Sequence, residues 1–285
     1  MGSLGPELPK VDLSGLDATR FDEEIWAKAR STIAQALETH DGFEVIYSEL
    51  PYHGFLLKKT GFPFSALELT NPTSLITIQE YANDFWPQGN DFFCNTILNF
   101  ATHMQVLILI IHRMTLECLG LEDYYDSQIK SLSYSIRFAK YHKDVLDRGN
   151  TYALPSHKDP NYISIICQHN VEGLEVQNIC DEWIATKPLT NSFTVLVGEA
   201  FEAWTNGRLH APNHRVKLKN EIEKRYAVIF STIPILTDDI ISAPKELIDE
   251  QYPLLYKSFK YYDYIKFRFT DEGDFENPLK VYCGV

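Results

Sequence analysis

Apolar positions along this chain change their spacing near its midpoint. In "FDEEIWAKARSTIAQALET" (21–39), Ile25, Ala29, Ile33, Ala34 and Leu37 fall at helical spacing, and acidic residues open the segment where the helix dipole favours them. "NDFFCNTILNFATHMQVLILIIHRMTLECLGL" (90–121) keeps a helical pattern far longer, with Gly120 placed to stop it. A short extended piece, "PKVDLSGL" (9–16), precedes the first helix.

From residue 131 the apolar runs become short, β-branched and aromatic. They are "SLSYSIRFAKYH" (131–142), "YISIICQ" (162–168), "GLEVQ" (173–177), "SFTVLVG" (192–198), "HRVKL" (214–218) and "RYAVIFSTI" (225–233). Pro155, Gly173, Pro188 and the Asn206–Gly207 pair punctuate them. Strands at this spacing, with no helix predicted between them, indicate an antiparallel sandwich or barrel. Helical periodicity returns in "FKYYDYIKFRFT" (259–270). No linker, repeat or low-complexity segment divides the chain. One domain over 1–285 is expected: a mainly helical region at 1–130, a β core at 131–240, and a C-terminal helix and tail at 241–285.

Composition narrows the function classes. With 45% hydrophobic and 13% aromatic residues, the 285-residue chain can bury a sizeable core. The net charge of -13 and the scattered basic residues argue against nucleic acid as a partner. Five cysteines without a C-x-x-C pair fit reduced thiols and a cytoplasmic location. The N-terminus lacks the charged start and apolar core of a signal peptide, and Pro6 occupies the position where myristoylation needs Ser or Thr. The run "VLILII" (106–111) is too short to span a bilayer, so no membrane partner is expected.

The unusual local pattern is "ALPSHKDPNYISIICQ" (153–168), where His157, Lys158 and Asp159 stand directly before an apolar run. A buried strand needs no such trio at its entry. On extended backbone, side chains two apart share a face, so His157 and Asp159 project together and Lys158 points away. That arrangement suits metal binding and calls for a third donor. Most of the nine histidines (His40, His53, His103, His112, His142, His157, His169, His210 and His214) should be solvated or structural. His214 differs, opening "HRVKL" in the same sandwich as His157, although His210 in the preceding loop competes with it. Two histidines and a carboxylate on one face of a metal are the donor set of non-haem Fe(II) oxygenases.

Arg225 opens the apolar "VIFSTI" strand. A buried charge needs a partner, and the planar guanidinium fork matches a dicarboxylate cosubstrate. The bland reading is a surface arginine paired with Glu221 or Glu223. The 16 tyrosines and 17 phenylalanines could line a pocket for a flat or hydrophobic molecule, but core packing is the stronger expectation, for Phe201 and Trp204 in particular.

Taken in order, "IRFAKY", "HKDP" with "ISIICQ", "VEGLEVQ", "EWIATKP", "VLVGEAFEAWTNGRLHAPNHRV" and "RYAVIFSTIP" resemble the plant-type 2-oxoglutarate/Fe(II)-dependent dioxygenases. "FWPQGNDFFCNTI" and "HGFL" are similar to the branch of specialised metabolism whose enzymes make alkenyl and hydroxyalkyl products. The likeness runs from "PKVDLS" to "YDYIKFRF", nearly the whole chain. It implies a mainly β fold, a distorted double-stranded β-helix (jelly roll) with flanking N-terminal and C-terminal helices. By motif position it implies His157, Asp159 and His214 as iron ligands, the family's second histidine directly preceding "RV". It also implies Arg225 as the arginine on the distal carboxylate of 2-oxoglutarate and Tyr141 as a tyrosine that assists it. The implied cofactors are Fe(II) and 2-oxoglutarate, with ascorbate as reductant. The implied partners are a small-molecule substrate and molecular oxygen, and the outcome is hydroxylation, desaturation, demethylation or ring closure. Metal and cosubstrate then perform the hard step, and no catalytic side chain beyond the metal ligands is required. The sequence does not indicate an oligomeric state.

The chain departs from the family pattern at several positions. Ala227 stands where the family has the serine of R-x-S, losing a hydrogen bond to a charged group worth roughly 1.5–3 kcal/mol. Ala139 replaces a common asparagine, and Glu199 a common aspartate. After "GFEVIYSELP" (42–51) a further helix of the family is missing, which should open the pocket, expose core surface or invite a second chain. These departures motivate an alternative function, a small-molecule binder or non-redox catalyst of the same fold with a degenerate 2-oxoglutarate site. A zinc hydrolase using the same donors is a third reading, disfavoured by the lack of a helical H-E-x-x-H.

Overall fold

A computed structural model describes residues 7–16, 22–47, 64–142, 152–218, 224–270 and 277–285. The chain opens with β1 (Lys10–Asp12), and Asp22 then caps α1 (Glu23–His40) by accepting hydrogen bonds from the backbone N–H of Glu24 and Ile25. Asp41 ends that helix in the left-handed conformation, with φ at 56°. The buried stripe of α1 is Trp26, Ala29, Ile33, Ala36 and Leu37. Ile25, expected inside, is 54% exposed because the larger Trp26 takes the inward position, its indole N–H donating to Glu117 at 2.9 Å.

Next come β2 (Gly42–Ile46), β3 (Phe64–Thr70), α2 (Leu75–Asn83), α3 (Asp91–Cys118) and α4 (Tyr125–Lys130). The long helix expected over 90–121 is α3, capped by Asn90 and followed by Gly120 at φ +67°. By length and composition α3 is apolar enough to cross a bilayer, but Ile97, Ala101, Met104, Leu107, Ile108 and Ile111 are buried in the core of this fold. The "HGFL" segment and the shortened stretch after Pro51 lie outside the described residues.

The β region holds β4 (Leu132–His142), β5 (Tyr152–His157), β6 (Ile163–Gln168), β7 (Leu174–Gln177), β8 (Trp183–Ala185) and β9 (Ser192–Val197). A short helix, α5 (Glu199–Trp204), separates β9 from β10 (His214–Lys217) and β11 (Lys224–Pro234). That helix corrects the expectation of strands without intervening helices. Its six residues are too few to show a helical period, and all of them are buried. The chain ends through β12 (Ile240–Ile241), β13 (Phe259–Lys260), α6 (Tyr261–Phe267) and α7 (Pro278–Cys283).

Among the described residues, eleven strands form two stacked sheets, a jelly roll. The major sheet runs β1-β2-β9-β6-β11-β4-β3 and the minor sheet β5-β10-β7-β8. Among the described residues these pairings are antiparallel, except that of β1 with β2. Three strands from the first 130 residues thus extend the major sheet. Its outer face, with Ile165, Val195, Phe230, Ile136 and Phe138, packs on α1 and α3 in the main hydrophobic cluster. Its inner face meets the minor sheet through Ile166 and Leu196 against Leu174, Val176 and Ile184. Burial on both faces explains why β6 and β9 read as continuous apolar runs rather than alternating ones.

Candidate metal centre and cosubstrate cleft

His157 is the last residue of β5, and His214, the first of β10, sits directly opposite it in antiparallel register. Their ring centroids are 4.2 Å apart. Asp159 follows where the chain leaves the minor sheet to begin β6 in the major one. The polar trio therefore marks a crossover between sheets, and the apolar run behind it belongs to the other sheet. Lys158 turns away, its Nζ 3.7 Å from Glu202.

The Asp159 carboxylate faces both rings. Its Oδ1 is 3.8 Å from His157 Nε2 and 3.6 Å from His214 Nε2, and one donor atom from each of the three residues lies within 4.8 Å of the others. The remaining ring nitrogens contact backbone carbonyls, His157 Nδ1 that of Pro155 at 3.0 Å and His214 Nδ1 that of Pro212 at 3.4 Å. This orients both Nε2 atoms toward the carboxylate. Ser164 on β6 donates its hydroxyl to Asp159 Oδ2 at 2.5 Å. Burial pushes His157 down to about 4, and proximity of the His214 ring adds to the shift. Burial alone would raise the Asp159 carboxyl, but His214, His157 and the Ser164 hydroxyl bring it below its ordinary value. The cluster thus offers two imidazoles and a carboxylate, a donor set that a divalent metal takes.

Backbone contacts hold the aspartate in place. Its carbonyl accepts the N–H of Glu199 at 2.8 Å, and Gly198 packs so closely on Asn161 that a Cβ would sit 2.1 Å from the Asn161 carbonyl oxygen. Glu199 is fully buried and accepts hydrogen bonds from Tyr264 (2.8 Å) and from the Arg268 guanidinium, so α6 braces the turn from behind. Burial pushes the Glu199 carboxyl up to about 7.

Arg225 lies deeper along the inner face of β11 and is 1% exposed. Of its donors, Nη2 bonds Gln168 Oε1 at 2.8 Å, while Nε and Nη1 are buried without a hydrogen-bond partner among the described residues. The guanidinium carbon lies 4.9 Å from the ring centre of buried Tyr141, its register partner on β4. Glu221 and Glu223 fall outside the described residues, and Arg225 is a core residue. Gly173, at φ +152°, leaves room beside it, since a Cβ there would stand 3.1 Å from Arg225 Cδ.

Ala227, the position of the lost serine, pairs across the sheet with Ala139 on one side and Gln168 on the other. The alanine departures at 139 and 227 are thus neighbours forming one small apolar patch beside Tyr141. Gln168 fills the polar gap by bonding Arg225 and donating to Thr186 Oγ1 at 2.6 Å. Sequence reasoning missed Gln168, although a glutamine closing an apolar strand was a usable signal. It also missed Ser164, which looked like one more strand residue.

One cavity joins these groups. His157, Asp159, His214, Tyr141 and Arg225 all line it, with Ile166, Leu174, Val216 and Ile229 between the polar ends. Tyr141 and Tyr261 are the aromatic residues among the described lining, and Phe201 and Trp204 are buried in the core, as expected. His210 is exposed on its loop. His112, at 0% exposed, is a core histidine 3.3 Å from the Thr232 hydroxyl. The donor set suits Fe(II), and the unpartnered Arg225 donors suit a carboxylate.

Residues 131–234 match the family model of the 2OG-Fe(II) oxygenase superfamily. A curated relative from Arabidopsis thaliana, "Probable 2-oxoglutarate-dependent dioxygenase AOP1.2", is 30% identical over 306 residues, covering 95% of this chain and 94% of that protein. Among solved structures, the dioxygenase for auxin oxidation from rice is similar with a TM-score of 0.78 at 21% identity, covering 98% of this chain and 100% of that one. Dioxygenase for auxin oxidation 1 from Arabidopsis thaliana, in a binary complex with 2-oxoglutarate, gives a TM-score of 0.69 at 19% identity, covering 86% of this chain and 99% of that one. These two likenesses carry the fold. The chain belongs to the 2OG-Fe(II) oxygenase superfamily. It is a 2-oxoglutarate-dependent dioxygenase, an oxidoreductase whose cofactors are Fe(II) and 2-oxoglutarate.

Proposed function

We propose that His157, Asp159 and His214 hold the Fe(II), that Arg225 and Tyr141 hold the distal carboxylate of 2-oxoglutarate, and that the protein oxidises a small organic molecule of specialised metabolism. The observation that carries this reading is the pairing, in one cavity, of a three-donor cluster with a buried guanidinium that has no carboxylate partner among the described residues. Bound there, Fe(II) and 2-oxoglutarate supply the oxidising power: molecular oxygen and 2-oxoglutarate are consumed, succinate and carbon dioxide are released, and a C–H bond of the substrate is oxidised.

The chain's own residues supply position and dryness. Backbone carbonyls at Pro155 and Pro212 aim the imidazoles, and Ser164 holds one oxygen of Asp159 so that the other faces the cluster. Arg225 offers Nε and Nη1 to the distal carboxylate while Gln168 retains Nη2. Leu174, Val216 and Ile229 wall the passage between the two ends. Hydroxylation, desaturation, demethylation or ring closure then depends on which C–H bond the cavity presents. Residues 1–285 act as a single oxygenase domain, and the free cysteines support a cytoplasmic site of action.

The test is an anaerobic titration of the Fe(II)-loaded protein with 2-oxoglutarate, followed by its visible metal-to-ligand charge-transfer band. A saturable band is expected in the parent, absent in His214→Ala and shifted to much higher 2-oxoglutarate in Arg225→Ala. A band that survives loss of His214 would move the metal elsewhere.

A further inference from the structure

The cavity contains a second guanidinium that the cofactors do not need. Arg137 lies four residues before Tyr141 on β4, and even spacing along a strand puts both on the inner face. Across the sheet its register partners are Glu68 on β3 and Ile229 on β11. Arg137 and Glu68 both line the cavity that contains the His157, Asp159 and His214 cluster, and Arg137 and Arg225 are the cations among its described lining.

The Arg137–Glu68 pair is an incomplete one. Arg137 Nε and Nη2 both reach the same Glu68 oxygen, Oε2, at 3.3 and 2.9 Å. This is not the two-oxygen fork of a saturated guanidinium–carboxylate pair. Nη1 takes part in no hydrogen bond among the described residues. The two side chains are 46% and 43% exposed, and an exposed ion pair of this kind adds little net stability. Exchanging Glu68 for an incoming anion therefore costs little. Tyr261, Ile229, Ile233 and Leu154 supply aromatic and aliphatic wall nearby.

We propose that Arg137 anchors an anionic group of the substrate, with Glu68 as the partner it releases, so that the substrate is a small organic acid: a carboxylate on a hydrophobic body. This rests on the reading of the metal and cosubstrate site given above. It deepens that reading by naming the substrate class. The anchor also settles regiochemistry in outline, because a carboxylate fixed at Arg137 leaves only carbons at one reach from it beside the metal cluster.

The experiment uses the full chain loaded with Mn(II) and N-oxalylglycine, which occupy the metal and cosubstrate sites without turnover. Calorimetric titration compares a series of monocarboxylates, from hexanoate to 4-phenylbutyrate and decanoate, with their primary amides. Acids should bind at least tenfold more tightly than their amides. Arg137→Met should erase that preference, Arg137→Lys should retain part of it, and Glu68→Gln should strengthen acid binding several-fold by removing the internal competitor. A purely structural ion pair would not give the gain in Glu68→Gln. Equal binding of acids and amides, acid preference that persists in Arg137→Met, or no acid binding at all would each overturn the proposal. Affinity for N-oxalylglycine, measured first, should be the same in parent and Arg137→Met. If the parent fails to bind it, the cofactor reading fails instead, and the acid–amide comparison on the metal-free chain still decides the role of Arg137.

Discussion

Two arginines face the same cavity from neighbouring strands and live under opposite conditions. Arg225 is sealed, 1% exposed, and bonded to a neutral glutamine with two nitrogens left over. Arg137 sits in an open setting and has an acid in hand. Burial lowers the proton affinity of Arg225, yet an arginine does not deprotonate in a folded protein. Among the described residues it is a buried charge without a carboxylate partner, a setting that an incoming anion would relieve. Arg137 is stable with or without a ligand and can exchange partners. The difference separates a site built for one obligatory anion from a site suited to a variable one.

Replacing the sealed charge should have the largest effect. Arg225→Met removes at least two charge-assisted hydrogen bonds worth roughly 1.5–3 kcal/mol each, so 2-oxoglutarate affinity should fall by about a hundredfold or more. Melting of the ligand-free protein should stay level or rise, because an unpaired buried charge has gone. Calorimetry with 2-oxoglutarate and thermal unfolding of the same variant read both effects, and a large drop in melting temperature without loss of affinity would contradict this account.

His112 sharpens the contrast, being a buried group that can go neutral. Burial pushes its pKa down to about 3, against an ordinary value near 6.5. Between those values the unfolded chain binds more protons than the folded one, so this contribution is complete above pH 6.5 and is lost progressively as pH falls toward 3. From pH 7 to 5 the parent should lose on the order of 1–2 kcal/mol more stability than His112→Phe. Denaturant titrations of both proteins at the two pH values measure it.

Gln168 tests whether a neutral neighbour aims the sealed arginine. Gln168→Leu should raise the KM for 2-oxoglutarate about tenfold, near 1.4 kcal/mol, and leave kcat at saturation nearly unchanged. A fall in kcat alone would instead assign Gln168 to substrate placement. Smallest is Ala227→Ser, which restores a hydroxyl beside Arg225. One hydrogen bond contributes about 1 kcal/mol net, so 2-oxoglutarate should bind several-fold more tightly. Unaltered affinity would mean that Gln168 already fills the serine's place.

Much of the fold was legible because its signals are local. The period of α1 and α3, the Gly120 stop, and the apolar runs of β4, β6, β9 and β11 lie in single stretches of chain. The missed elements lack that signal. β5 contains Pro155, β8 has three residues, and α5 is shorter than two helical turns. Within the site, motif order pointed to His157, Asp159, His214, Arg225 and Tyr141, all of which line one cavity. Gln168, Arg137 and Glu68 stayed hidden because their roles arise from neighbours across strands.

Which stretches are helical or extended, and which residue types are available as metal donors and carboxylate clamps, can be read along the chain alone. Periodicity and side-chain chemistry are properties of short segments. That His157 stands opposite His214, that Ala139 and Ala227 share one patch, and that Arg225 is sealed while Arg137 is open follow from the assembled sheets. Register and burial depend on strands distant in the chain, and a shift of one residue would turn each of these side chains to the other face of its sheet.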